Sequence, residues 1–504
     1  VSQRRQPWSE PAGLLVIAVL AGTLLLANLG NHYLWQDEAQ QALLSRSILT
    51  YGVPVGFDGR NSFSQELGVE YGKDGIWKWH TWLSFYLVAA SFALLGTNTF
   101  AARLPFALCA LGTVILTYFT ARAFWRDRRA ACAAALLLTL SVPFLILSRQ
   151  CRYYALASLL SLIGLWSYDR LGTGDRRAPW ILAAAATLLF HTHYVYAATL
   201  LATLLIHSAL WSRERLRRCL VVAAATTALA LPWILWVATL RLGPEKTARF
   251  LELGDTARHA WRYAWMVFDP LFAGGAFLLI PLALAARRRL RGESVFAASE
   301  ATWNRVALLV GYCAVSIVLL AILSPLHYVR YLAPLLPPLF LLAGLFVGEL
   351  LRLRPSLGVA AILAFALLGP LRDFLYEITH DYDGPIEGIV RFLDAHARPD
   401  DVVAMVYGDL PVKFYTNLRV VGGLTGEDLE AARDADWIIL RRHLSAPVSR
   451  EVRHTLKGFV DSGPYRRRVL AYPEIAFENR EDPRQHRFRT AQVPERVVIW
   501  ERVR

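Results

Sequence analysis

Apolar stretches about as long as a bilayer core recur through the first three quarters of this sequence, and nothing constrains its fold more. They fall near 13–30, 101–123, 130–148, 153–168, 179–194, 195–211, 219–239, 268–286, 305–324, 328–348 and 356–372. At 1.5 Å of helical rise per residue, each reaches across most or all of a hydrocarbon core ~30 Å thick. From residue 373 onward charges return every few positions, as in a soluble unit. The expected fold is an α-helical polytopic membrane protein. A membrane part over 1–372 holds about 11 spans and a first long loop, 31–100, with juxtamembrane helices. A small α/β domain over 373–504 follows.

The chain carries 54 Lys and Arg against 40 Asp and Glu, a net charge of +14. In a soluble protein that excess would suggest nucleic acid. Here it sits in short arginine clusters between apolar stretches, at 122–129, 170–177, 213–218, 287–291 and 352–354. No nucleic-acid partner is therefore expected; the partner is the bilayer. Every second loop carries such a cluster, and the positive-inside rule assigns these loops and the N-terminus to the cytoplasm. An odd number of spans then leaves 373–504 outside. The localisation that follows is a multi-pass protein of the cell (inner) membrane with a periplasmic, or otherwise extracytoplasmic, C-terminal domain. The first apolar stretch follows Arg4 and Arg5. It is long for a signal-peptide core and is expected to be a retained signal anchor. Segment 82–95 is apolar but short. If it crossed, the cluster at 122–129 would move outside, so it is expected to be a juxtamembrane helix at the outer interface. The five cysteines lie in or beside apolar stretches and show neither metal-ligand spacing nor a disulfide framework.

This topology gathers four polar sites on the outer side. Loop 31–100 brings Trp35-Gln36-Asp37-Glu38, then Lys73 and Asp74, then Lys78 and His80. Arg149 and Arg152 lie between the third and fourth stretches, and Tyr153 and Tyr154 open the fourth. His191, Thr192, His193 and Tyr194 form the apex of a tight pair. His327, Arg330 and Tyr331 precede a late stretch. Each has an ordinary alternative. The acidic pair could be a solvated loop or a helix cap. The arginines could snorkel to headgroups, the histidines could be interfacial, and Tyr and Trp at span ends commonly anchor a helix. Two histidines at i, i+2 do not share a helix face, which disfavours a helical metal pair. Taken together, a carboxylate at the membrane surface is a candidate general base, and Arg, Lys and His at the same depth are candidate phosphate clamps. A base and an anion clamp beside lipid suit displacement of a lipid phosphate.

In this order the motifs resemble the GT-C glycosyltransferases of the protein O-mannosyltransferase and lipid A aminoarabinose transferase type. Asp37-Glu38 follows the first span like the family's acidic pair. Ser91-Phe-Ala-Leu-Leu-Gly96 with Phe100-Ala-Ala-Arg103-Leu-Pro105 resembles its run into the second span. Arg149-Gln-Cys-Arg152-Tyr153-Tyr154 resembles the start of its fourth span. Thr192-His193-Tyr194 and Arg330-Tyr331-Leu-Ala-Pro334 match two further steps. The likeness covers roughly 13–372. One departure concerns the Lys-Pro-Pro or His-Pro-Pro of many relatives, where this chain has His80-Thr-Trp82, with Lys73 and Lys78 upstream. The resemblance implies a polyprenyl-phosphate sugar donor, with Asp37 as base and Glu38 assisting. The donor phosphate would be met from among Arg330, His80, Lys78, Arg152, Lys73 and Tyr331. Arg149, Tyr153, His191, His193, Tyr194 and His327 would line the substrate path. The acceptor would belong to the envelope: lipid A, a glycolipid, a polysaccharide or a protein.

Direct displacement at the sugar C1 inverts the anomeric centre. A monophosphate leaving group can be neutralised by side chains, so no cofactor is required, although a divalent metal at Asp37 is compatible with the chemistry. The rival reading is a transporter or flippase for a lipid-linked sugar. Such proteins commonly show internal repeats and broken mid-span helices. No internal repeat is evident here, and the polar groups cluster on one side. In the tail, helices at 387–397 and 449–460 alternate with strands at 401–407, 437–441 and 497–501. There is no glycine-rich phosphate fingerprint. The polar run 478–489 reads as a solvated linker, with a lid over the membrane site as the less favoured option.

Overall fold

The computed structural model describes residues 9–238, 253–269, 300–324, 327–423, 425, 427–441, 447–475 and 482–503. The expected span at 268–286, the cluster at 287–291 and residues 478–481 of the polar run lie outside or almost wholly outside these.

The membrane part opens with α1 (Ser9–Leu26), α2 (Gln36–Tyr51), α3 (Leu83–Leu95) and α4 (Thr99–Trp125). Asn98 starts α4 by accepting a hydrogen bond from the Ala101 N–H at 2.9 Å, and Arg126, at φ 53°, ends it in the left-handed region. Next come α5 (Arg128–Leu140) and α6 (Val142–Ser148), a broken pair bent by 63°. The local cause is the sequence Ser141-Val142-Pro143. Ser141 caps α6 through the Phe144 N–H at 3.4 Å, and Pro143 has no N–H to continue the α5 ladder. The membrane part continues through α7 (Tyr154–Leu171), α8 (Ala178–Thr192), α9 (Tyr194–Trp211), α10 (Arg213–Ala238), α11 (Leu253–Phe268) and α12 (Glu300–Leu323). A 3-10 turn (Val329–Leu335) leads into α13 (Leu336–Leu353), then α14 (Pro355–Leu368) and α15 (Leu371–Glu377), which bend by 55°.

The chain is a multi-pass membrane protein. Among the described residues five helices are long and apolar enough to cross alone, and seven if each bent pair is one span. That is fewer than the about eleven expected. Helices occupy most of the other expected positions but are shorter or more polar. α8, at 15 residues, is roughly 22 Å long, less than a bilayer core. Helix α3 forms where the juxtamembrane helix was expected. It buries Phe85, Val88 and Phe92, and Tyr86 ties it to the Gly52 carbonyl at 2.8 Å. The tightest helix pair is α5 with α13. Gly344 and Gly348 lie four apart on one face, over Ala130 and Ala134, where a Cβ on Gly348 would sit 2.7 Å from the Ala130 backbone. Small residues at this spacing let helices approach until backbones touch, the main source of packing energy in lipid.

The C-terminal part is a three-layer α/β/α unit. Helix α16 (Pro385–His396) precedes β1 (Val402–Met405); α17 (Asp409–Tyr415) crosses to β2 (Arg419–Gly422); β3 (Trp437–Ile439), α18 (Pro447–Ser462), β4 (Tyr465–Pro473) and β5 (Arg496–Arg502) complete it. The sheet order is β2-β1-β3-β5-β4, with β2, β1 and β3 parallel and β5 antiparallel to both its neighbours. Alternation along β1 assigns the two faces. Val403 and Met405 pack with Ile389 and Leu393 of α16, while Ala404 packs with Leu456 and Phe459 of α18. Strands β2 and β4 and helix α17 were not anticipated. Three consecutive arginines, Arg466–Arg468, erase the apolar alternation that would mark β4.

This unit is bolted to the first loop. Gln36 donates to Asp409 at 2.8 Å, the Leu34 N–H donates to the Tyr415 hydroxyl at 2.8 Å, and Lys413 donates to the Ser62 carbonyl at 2.8 Å. Asn61 pairs with the Leu418 carbonyl and the Val420 N–H, extending the edge at β2. These bonds set the C-terminal unit over the end of the bundle where α2, α7 and α9 begin.

Candidate active site

Asp37 and Glu38 both lie in the first turn of α2, where neighbouring side chains point about 100° apart. That angle separates their fates. Glu38 turns inward and is fully buried. Its oxygens accept from Arg103 Nε at 2.8 Å and Nη2 at 2.7 Å, from the Cys151 N–H at 2.7 Å and from the Trp35 N–H at 3.3 Å. The last bond reaches back three residues, half of a capping box. The structural role open to the acidic pair therefore falls to Glu38, and with four bonds and no exposure it reaches no substrate. Asp37 turns outward into a cavity of about 640 Å³. Its Oδ2 lies 3.1 Å from Arg330 Nη1, and its Oδ1 accepts from Gln65 Nε2 at 3.3 Å.

The same cavity is lined by Arg330, Arg152, His80, Tyr153, His193, Tyr194, His327 and Tyr331, so nine expected residues, Asp37 included, converge from four stretches of sequence. Arg330 sits in the 3-10 turn before α13, its guanidinium 4.1 Å from the Tyr328 ring centre and 5.7 Å from that of Trp35. Such stacking fixes the plane of the fork while leaving its edges for hydrogen bonds. Arg152 donates to the Asp37 carbonyl at 3.3 Å, and its buried Nε has no hydrogen-bond partner among the described residues. The His80 ring packs edge-on against Trp77, and Nδ1, 3.1 Å from the Thr81 carbonyl, is the nitrogen that donates. His193 packs on Tyr153 and Tyr196. His327 stacks on His259, ring centres 4.3 Å apart. Partial burial, and then the charges of His259 and Arg262, lower its pKa below the ordinary value of 6.5.

Four other expected residues do not line this cavity. Lys78 is held by Asp74 at 3.0 Å and by the Trp236 ring at 4.6 Å, with Gly72 leaving room for its ammonium. Lys73 is exposed. Arg149 is buried against α1, donating to the Leu24, Leu25, Ala27 and Asn28 carbonyls at 2.8–3.3 Å. Those are the orphan acceptors at a helix C-terminus, so Arg149 is a cap. His191 packs edge-on to Phe190.

Several lining residues carried no sequence signal. Gln65 holds Asp37 and is itself fixed by Gln40 Oε1 at 2.8 Å. Glu70 anchors the same loop, accepting from Ser64 at 2.6 Å and from the Gln65 and Glu66 N–H groups. The C-terminal unit contributes Tyr407, Asp482, Arg484 and Gln485. Arg484 bridges Asp482 at 2.8 Å and Asp269 at 3.0 Å, so this part of the polar run 478–489 packs over the cavity mouth. Among the described residues no three His, Cys, Asp or Glu side chains converge where a cation could be held.

Residues 79–236 match the family model for dolichyl-phosphate-mannose-protein mannosyltransferases. The chain is 30% identical over 404 residues to an undecaprenyl phosphate-alpha-4-amino-4-deoxy-L-arabinose arabinosyl transferase of Pseudomonas aeruginosa (strain UCBPP-PA14), covering 73% of this chain and 66% of that protein. A Pseudomonas fluorescens (strain Pf-5) protein of the same name, with the suffix 1, is 29% identical over 57% of this chain and 53% of its own length. In both cases the aligned stretch spans less than two thirds of the relative. The fold matches that of ArnT from Cupriavidus metallidurans in the apo state, with a TM-score of 0.60 at 14% identity over 97% of this chain and 98% of that one. It also matches the archaeal oligosaccharyltransferase AglB from Archaeoglobus fulgidus, with a TM-score of 0.57 at 12% identity over 92% and 74% of the two chains. The chain is a GT-C glycosyltransferase relative, akin to the dolichyl-phosphate-mannose-protein mannosyltransferases and the undecaprenyl-phosphate aminoarabinose transferases.

Proposed function

We propose that this protein transfers a sugar from a polyprenyl-phosphate carrier to a hydroxyl group of an envelope acceptor, with inversion at the anomeric carbon. The observation that carries the reading is the contact of Asp37 with Arg330, with Arg152 beside them, at the floor of a cavity walled by aromatic rings. The acceptor hydroxyl loses its proton to Asp37 as its oxygen bonds to C1. The C1–O bond to the lipid phosphate breaks with its electron pair, and the phosphate takes the added charge. Arg330 and Arg152, both buried side chains, meet that charge with charge-assisted hydrogen bonds. His80 and Tyr331 stand at the same wall. Tyr153, His193, Tyr194 and His327 shape the sugar and acceptor path.

Arg330 also pairs directly with Asp37, 3.1 Å away, which holds base and clamp side by side. No cofactor is needed in this scheme. Two related proteins add support through what is known of them: the P. aeruginosa relative is named for an undecaprenyl-phosphate aminosugar donor, and the C. metallidurans ArnT fold has a form bound to undecaprenyl phosphate. We further read the arginine clusters as cytoplasmic, which sets the cavity and the C-terminal unit on the periplasmic face. We read the acceptor as lipid A-like or another envelope glycolipid, which would approach a cavity at one end of the membrane bundle. The test is mass spectrometry of envelope lipids and glycans from deletion and complemented strains. A missing glycosyl unit, restored by the wild type and not by Asp37→Asn, is the expected result. Unchanged glycans would refute the reading.

A further inference from the structure

A second cavity lies at the opposite end of the same helices. It has a volume of about 180 Å³ and is lined by Tyr168, Gly172, His207, Arg215, Asn304 and Arg305, among others. Arg152 precedes α7 and Tyr168 lies near its end. Sixteen residues of helix separate them, roughly 24 Å, so the two cavities sit at the two faces of one bilayer-sized bundle. Aromatic residues mark the headgroup level around the second one. Trp211 stacks on His207 with ring centres 4.4 Å apart while remaining 46% exposed, and Trp180 is 79% exposed.

The charges of this second cavity are sorted. Asp169 is taken by Arg305, at 2.8 and 3.0 Å. Glu214 is taken by Arg218 at 2.9 Å, and Asp175 by Arg170 at 3.0 Å. Among the described residues Arg215 has no carboxylate partner. Its guanidinium lies 5.7 Å from the Tyr168 ring centre and fills the space that Gly172 leaves where any Cβ would collide with it. The neutral polar groups are also committed. The Asn304 carbonyl only accepts, so His207 donates to it from Nε2, and Nδ1 hydrogen-bonds the Tyr168 hydroxyl at 2.8 Å. Arg215 is thus the guanidinium of this cavity that no described acid neutralises, a chemistry that suits one phosphodiester.

We propose that this cavity binds the headgroup phosphate of an anionic glycerophospholipid, with Arg215 as its main ligand. A lipid is favoured over free phosphate because α10, beyond its arginine-rich first turns, leaves apolar side chains exposed to acyl chains. Leu220, Val221 and Leu229 are 53–65% exposed along it. Basic pockets between membrane helices on the arginine-rich side are suited to such headgroups.

The test uses the full-length chain in detergent, titrated with dioleoyl phosphatidylglycerol, dioleoyl phosphatidylcholine or inorganic phosphate. Bound lipid is read by native mass spectrometry and stability by thermal unfolding. Phosphatidylglycerol should be retained and raise the unfolding midpoint more than phosphatidylcholine. Arg215→Ala should weaken its binding about tenfold, and Arg217→Ala, an exposed neighbour, should leave it unchanged. Gly172→Ala keeps every charge and suits its helical backbone, so it serves if Arg215→Ala folds poorly; it should also weaken binding by displacing the fork. Equal binding of both lipids, equal loss in Arg217→Ala, or full binding by Gly172→Ala would overturn the proposal. Equal stabilisation by inorganic phosphate would overturn the lipid assignment.

Discussion

Arg330→Ala tests the phosphate clamp most quantitatively. The side chain is about 10% exposed, lies 3.1 Å from Asp37 and is stacked on Tyr328. A charge-assisted bond at such depth is worth about 1.5–3 kcal/mol. Losing one to the donor phosphate should therefore cost roughly ten- to a hundredfold in kcat/KM for the polyprenyl-phosphate sugar. Among the described residues the same substitution leaves Asp37 with Gln65 as its side-chain hydrogen-bond partner, so a modest loss of thermal stability should accompany it. Arg330→Lys separates charge from shape. It keeps the cation but loses the planar fork and much of the stacking, so most of the activity loss should persist. The assay is steady-state transfer with purified donor and acceptor, alongside donor binding measured directly. Unchanged donor affinity and turnover in Arg330→Ala would refute the clamp.

Other substitutions sort structural from functional roles. Glu38→Gln breaks a buried pair with Arg103, a change of the kind that costs about 3–5 kcal/mol; thermal unfolding should fall sharply, whereas a soluble, fully stable and active variant would contradict the assignment. Lys78→Ala should leave donor KM within about twofold, because the ammonium is held by Asp74 outside the cavity; a tenfold rise would return it to the clamp. Gly348→Val should separate α5 from α13 and destabilise the bundle, read as lower yield and unfolding temperature, since its Cβ would meet the Ala130 backbone. The depressed pKa of His327 means the folded state binds its proton less readily than the unfolded one, so stability should be lost as pH falls through the unfolded value near 6.5. His327→Gln should flatten that acid limb of a thermal-melt series, and an unaltered limb would assign it to other groups.

The apolar periodicity made most of the helices legible, because length and hydropathy are local properties. The bends were harder to read, since a Ser-Val-Pro step inside an apolar run looks like a continuous span until its capping geometry is known. In the site, the convergence of Asp37, Arg152, His193 and Arg330 followed from topology, since one-sided loops must meet at one end of a bundle. Partner choice did not follow. Arg149 and Arg152 are three residues apart with the same chemistry, yet one caps α1 and the other faces the cavity, a difference set by where α1 ends. Gln65, Glu70 and Arg484 act through contacts with distant residues, and no spacing rule marks them.

The most direct measurement is turnover by Asp37→Asn with purified polyprenyl-phosphate sugar and acceptor. Asparagine keeps the size of the side chain and can still accept from Gln65, but it cannot take a proton. A positioned general base supplies about 10²–10⁴-fold. The account predicts a loss of at least about a hundredfold in kcat, with folding and donor binding near normal; turnover close to wild type would contradict it.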